Sequence, residues 1–172
     1  MKVAICAATA LLLAGTAPAL AGSAQNPRIF VVAEQDLSLP DPHRTPGAID
    51  PAVTQGNIQQ TICRPGYTKT VRPPEEYTAR LKREQILAFG YEFPEPREYE
   101  EDHLIPLELG GAPRDPRNLW PEPYFGKWNA RVKDRLEFLL HRKVCSGEMN
   151  LDEARSGIAR NWIEMYKRFV GE

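Results

Sequence analysis

The chain has 172 residues, 42% of them hydrophobic and 26% charged, with 23 acidic side chains against 22 lysines and arginines. A formal charge of −1 weighs against a protein that coats polyanions without regard to their sequence, since such binding goes with a basic surface. With a leader removed, about 150 residues remain, the size of one domain.

The first 21 residues, MKVAICAATALLLAGTAPALA, carry one lysine, an apolar run from Val3 to about Ala14, Pro18, and the small-residue site Ala19-Leu20-Ala21. That three-part order predicts a secretory signal peptide cut after Ala21. The run is shorter than the roughly 20 residues that a membrane-spanning helix needs. Cys6 lies inside the run rather than at the cut, so a lipoprotein is not expected. The mature chain is expected in the periplasm or outside the cell, with no membrane span and a formal charge of −2 once Lys2 has gone. Cys63 and Cys145 then remain, and two cysteines in an exported chain most simply form one disulfide. There is no Cys-x-x-Cys and no histidine at zinc-finger spacing to favour a metal instead.

Residues 22–60 read as an irregular arm that packs on the domain or is partly mobile. Pro40, Pro42, Pro46 and Pro51 break up LSLPDPHRTPGAIDPAVTQGN, and RIFVVAE is the one short strand it offers. His43, between Pro42 and Arg44, is expected on the surface. From Thr61 the chain becomes organised. Pro74 with Glu75 and Glu76 opens a helix that Gly90 closes, and Tyr77, Leu81, Leu87 and Ala88 form its apolar stripe. FPEPREYEEDHLI is extended, because Pro94 and Pro96 forbid a helix and the tyrosine-rich run suits a strand. A second long helix is predicted from about Lys127 to Val144, with Trp128, Val132, Leu136, Leu139 and Leu140 on its core face. The last helix follows Gly147, opened by Asn150 and Glu153 as a capping box, with Leu151, Ala154, Ile158, Trp162, Met165 and Phe169 on one stripe. Trp162 and Met165 are thus core residues, and there is no internal repeat or glycine-rich phosphate loop. Basic residues gather in two places: Arg64, Lys69, Arg72, Arg80, Lys82 and Arg83, then Lys127, Arg131, Lys133, Arg135, Arg142 and Lys143. Any one of them is, by default, part of a solvated helix face.

Between the extended run and the second helix lies EDHLIPLELGGAPRDPRNLW, residues 101–120. In order it presents Asp102-His103, Pro106, Gly110-Gly111 and Asn118-Leu119. This order resembles the HNH family of nucleases, whose site is a ββα-metal motif, and the resemblance covers about Tyr99 to Arg135. More loosely, TICRPGYTK onward resembles small exported bacterial proteins that share this motif and a cysteine pair. The resemblance implies an α+β protein: an HNH-like ββα-metal core with flanking helices, an irregular N-terminal arm and one disulfide. The domains would be a signal peptide (1–21), the arm (22–60) and an HNH-like nuclease domain (61–172). It implies a metal-dependent endonuclease acting on DNA, with RNA as the second candidate. His103 would be the general base, and Asp102 and Asn118 the ligands of one divalent cation, Mg²⁺ or Mn²⁺.

The residue types suit that chemistry. Neutral histidine takes a proton from water near neutral pH. A carboxylate and an amide oxygen are hard ligands, and the cation they hold would stabilise charge on the phosphate and leaving group. Asp102 and His103 are neighbours, and neighbours in a regular strand point to opposite faces. The reading therefore needs the strand to end or bulge between them. Gly110 and Gly111 are expected to give the loop its positive φ. Many family members carry a third histidine on the helix and zinc-binding Cys-x-x-Cys pairs, and this chain has neither. Asn129 is the candidate for the third position, and Lys133, one turn on, the candidate phosphate contact. Arg80, Lys82, Arg83 and Arg131 would meet backbone phosphates with little base readout. Glu100 and Glu101 are expected to face solvent, with support of the site as the alternative role. His141 is expected at the surface or against the dipole at the end of its helix. The alternative to a nuclease is a catalytically silent HNH-like domain that serves as an exported binding module.

Overall fold

The computed structural model describes residues 37–91 and 95–171, all within one compact unit, Glu34–Glu172. The signal peptide, its cleavage site and the strand expected at RIFVVAE lie outside the described residues. Among the described residues the protein is α+β, with four α-helices and one antiparallel two-stranded sheet. The chain runs α1 (Tyr67–Val71), α2 (Glu75–Phe89), β1 (Tyr99–His103), β2 (Leu119–Pro123), α3 (Ala130–Ser146) and α4 (Leu151–Phe169).

Each helix starts and stops where local chemistry allows. In α2 the carboxylates of Glu75 and Glu76 sit at the positive end of the helix dipole. Gly90 closes it at φ 70°, its amide donating to the Ile86 and Leu87 carbonyls. The expected stripe on α2 is displaced: Gln85 and Ile86 are buried, while Leu87 is 76% exposed. The reason is that α2 packs on the sheet through Ile86, which meets Tyr99 of β1. Two polar side chains of α2 also bond strand carbonyls: Lys82 Nζ donates to Tyr99 and Gln85 Nε2 to Leu119. Helix α4 holds its predicted stripe but is kinked at Asn161, where φ is −166° and ψ 96°. There the Asn161 amide oxygen accepts from the Glu164 N–H, so the residue caps the second segment. Asn150 caps the first segment through the Asp152 N–H, a simpler bond than the expected box with Glu153.

The main core joins Trp120 of β2 to Leu136, Leu140 and Val144 of α3 and to Leu151, Ile158 and Trp162 of α4. Residues 37–60 carry one short 3-10 turn, Gln55–Asn57, and send Val53 and Ile58 into this core. Their backbone is also bonded to the loop between the strands: Ala112 N–H to Ala48, Asp50 N–H to Gly110, and Gly47 N–H to Arg117. Cys63 and Cys145 form the disulfide, which ties the segment before α1 to the last turn of α3.

The two strands pair from Tyr99↔Pro123 to His103↔Leu119 with no bulge. Between them, residues 104–118 form a loop with two 3-10 turns, Leu107–Leu109 and Pro116–Asn118. Of the two loop glycines, Gly110 has positive φ, 70°, and Gly111 does not. Gly111 is required for closeness instead, because a Cβ there would collide with the Ile105 carbonyl.

Candidate active site

β1 runs in regular register through its last residue, so its side chains alternate between two faces. Tyr99, Glu101 and His103 share one face, and Glu100 and Asp102 the other. Asp102 and His103 therefore part company, as neighbours in an unbulged strand must.

On the first face His103 is 4% exposed. Its Nε2 lies 3.0 Å from the Pro113 carbonyl. A carbonyl can only accept, so Nε2 carries the hydrogen and neutral His103 keeps its lone pair on Nδ1. Burial depresses the imidazole pKa below the usual histidine value, against the opposing pull of Asp102 and of the Pro113 carbonyl. His103 is thus neutral at neutral pH.

Two residues earlier, both carboxyl oxygens of Glu101 are buried with no hydrogen-bond partner among the described residues. Burial pushes the Glu101 carboxyl up to about 8, although Lys82 pulls it back. Glu101 and His103 line a cleft of about 350 Å³, together with Arg72, Lys82 and Tyr124 and with the acids Glu75 and Glu100. The Tyr124 hydroxyl donates to Glu100 at 3.1 Å. Of the two roles open to Glu101, solvent exposure and support of the site, the structure places it at the cleft. The sequence signal that finds it is the two-residue spacing to His103, which sets both on one side of the strand.

On the second face the carboxylate of Asp102 lies 2.5 Å from the Lys133 ammonium. Lys133, expected against phosphate, is fully buried. It donates to the His103 carbonyl at 3.0 Å and to Glu137, and lies 3.7 Å from Glu122. Burial opposes ionisation of Asp102, but the Lys133 ammonium and hydrogen bonds from Glu122 and Lys133 outweigh it and hold the carboxyl at about 2. Burial pushes Glu137 up to about 8 and Glu122 well above the usual carboxylate range, in both cases against the pull of Lys133. The group holds one ion pair, Lys133 with Asp102, beside two acids that favour their neutral forms.

Asn118 is fully buried and holds the loop together. Its amide oxygen accepts from the Ile105 and Ala48 N–H groups, and its amide nitrogen donates to the Ile105 and Ala112 carbonyls. Asn129 is the N-cap of α3, accepting from the Val132 N–H and donating to the Gly126 carbonyl. Asp102 and Asn118, the ligands that the resemblance implies, are thus both engaged by protein groups in this structure. The first is bound to an ammonium, and the second has its amide committed to backbone. Asn129, the candidate third position, is likewise engaged, at the helix end. Among the described residues, Cys63, His141 and Cys145 bring three ligand atoms within 4.8 Å of one another. The two sulfurs are bonded to each other, and His141 Nε2 is bonded to the Ile62 carbonyl rather than free at the surface.

Compared with protein-family models, with curated proteins and with solved structures, the chain finds no match in any of the three. The likeness to HNH nucleases stands on the residues of the motif.

Proposed function

We propose that the cleft beside β1 hydrolyses phosphodiester bonds in nucleic acid, DNA first and RNA as the second substrate to test. The observation that carries this is the pairing of His103 and Glu101 on one strand face, in a cleft that Arg72 and Lys82 also line, beside Glu75 and Glu100. His103 takes a proton from the attacking water through Nδ1 as the new P–O bond forms. Arg72 and Lys82 hold the phosphate oxygens, and Glu101 in its acid form gives its proton to the leaving 3′ oxygen as the P–O3′ bond breaks. The motif at residues 99–135 adds support, and the disulfide is consistent with export. A second reading, a silent binding module that uses Arg72 and Lys82 of the same cleft, is favoured by the burial of His103, 4% exposed.

Cleavage of plasmid DNA and of RNA by the oxidised mature protein separates the two readings. Wild type is compared with His103→Ala and Glu101→Gln, in EDTA, Mg²⁺ and Mn²⁺. Turnover lost in His103→Ala supports the nuclease. Binding without turnover under every condition supports the module.

A further inference from the structure

Lys133 stands in the first turns of α3 with none of its side chain exposed. Around its ammonium lie oxygens from three elements: Asp102 and the His103 carbonyl from β1, Glu122 from β2, and Glu137 from α3 itself. An ammonium has three donors, and here Asp102, Glu137 and the His103 carbonyl take them, with Glu122 standing further back. Carboxylates with a backbone carbonyl are the donors that a hard divalent cation selects. Stability alone does not call for four ionisable groups at one buried point. Apolar residues of the same volume often do as well, or better, than a buried ion pair.

We propose that Lys133 is the resident cation of this oxygen cage, tethered where β1, β2 and α3 meet, and that the cage does not load Mg²⁺ or Mn²⁺. By gripping Asp102 and the carbonyl of His103, Lys133 fixes the end of β1 and so positions the His103 ring at the cleft. This deepens the reading given above and rests on it only for the role of His103. Cleavage in the cleft then draws on no ion held by Asp102.

The test is Mn²⁺ uptake followed by electron paramagnetic resonance on the full oxidised protein, without nucleic acid. The chains compared are wild type, Asp102→Asn, Lys133→Ser and the double variant Lys133→Ser/Asp102→Asn. Wild type is expected to take up no more Mn²⁺ than Asp102→Asn. Lys133→Ser, which empties the centre of the cage, is expected to gain a bound Mn²⁺ that the double variant loses. A wild-type chain that binds one Mn²⁺ and loses it in Asp102→Asn overturns the proposal, as does a folded Lys133→Ser that takes up none. Should Lys133→Ser fail to fold, equal uptake by wild type and Asp102→Asn supports the proposal, and unequal uptake overturns it. Because no nucleic acid is present, a wild type that binds no ion and also cuts nothing fails the nuclease reading alone.

Discussion

At the scale of residues, His103 and Glu101 form a pair whose environments push their protonation apart. The histidine pKa is lowered and the carboxyl pKa is raised to about 8, so base and acid coexist in their working forms between the two values. Cleavage is expected to rise with pH as His103 loses its proton, below the usual histidine value of about 6.5. It is expected to fall again near pH 8 as Glu101 ionises. His103→Ala should lower the rate by about 100- to 10,000-fold, the usual worth of a positioned base. Glu101→Gln should lower the rate as well, by removing the acid, and abolish the alkaline limb, and a rate profile from pH 5 to 9 reads these effects. The same carboxyl bears on stability. A carboxyl raised from 4.5 to about 8 in the folded state leaves the fold unpenalised below the lower value and costs stability as pH climbs toward the upper one. Glu101→Gln should therefore raise the Tm at pH 8 relative to wild type and leave the difference small at pH 4.

At the scale of elements, the loop between the strands and the first turn of α3 depend on two asparagines. Asn118 bonds backbone groups of Ile105, Ala112 and Ala48, drawing three passages of chain together. Asn118→Ala would leave buried amide and carbonyl groups unpaired, at about 1–3 kcal/mol for each. A loss of unfolding free energy of that order in a urea titration, with no change in Mn²⁺ uptake, is the expected result. Asn129→Ala should cost only about 1 kcal/mol, the loss of a helix cap, and leave cleavage unchanged. The elements that carry this site were legible in the sequence because their signals are local: Glu75 and Gly90 mark the ends of α2, and Leu136 and Leu140 mark the buried face of α3. What each polar side chain does was less legible. Asp102 followed by His103 reads as one site only if the strand breaks between them, and pairing of His103 with Leu119 keeps it regular. Lys133 read as a candidate phosphate contact on a helix face. Its burial follows from acids at positions 102 and 122, distant in sequence, which no spacing rule connects to it.

At the scale of the whole molecule, the strands sit inside a frame that the disulfide helps close. The bridge spans 82 residues and encloses α1, α2, both strands and nearly all of α3. A cross-link of that length limits the unfolded chain by roughly 4 kcal/mol in the chain-entropy account. For a domain of this size, about 1 kcal/mol shifts the Tm by 2–4 °C. Reduction, or Cys63→Ser with Cys145→Ser, is thus expected to lower the Tm by about 8–16 °C. The loss should come mostly from the unfolded state. The Glu101 and His103 face of β1 is held from elsewhere, by Lys82 on the Tyr99 carbonyl, Pro113 on the ring and Lys133 on the His103 carbonyl. At 20 °C, well below the lowered midpoint, the reduced protein should therefore keep its pH profile of cleavage. A scan of Tm with and without reductant, beside a cleavage profile at 20 °C, measures both. A profile that changes while the chain is still folded would show that the bridge shapes the cleft directly rather than the balance between folded and unfolded chain.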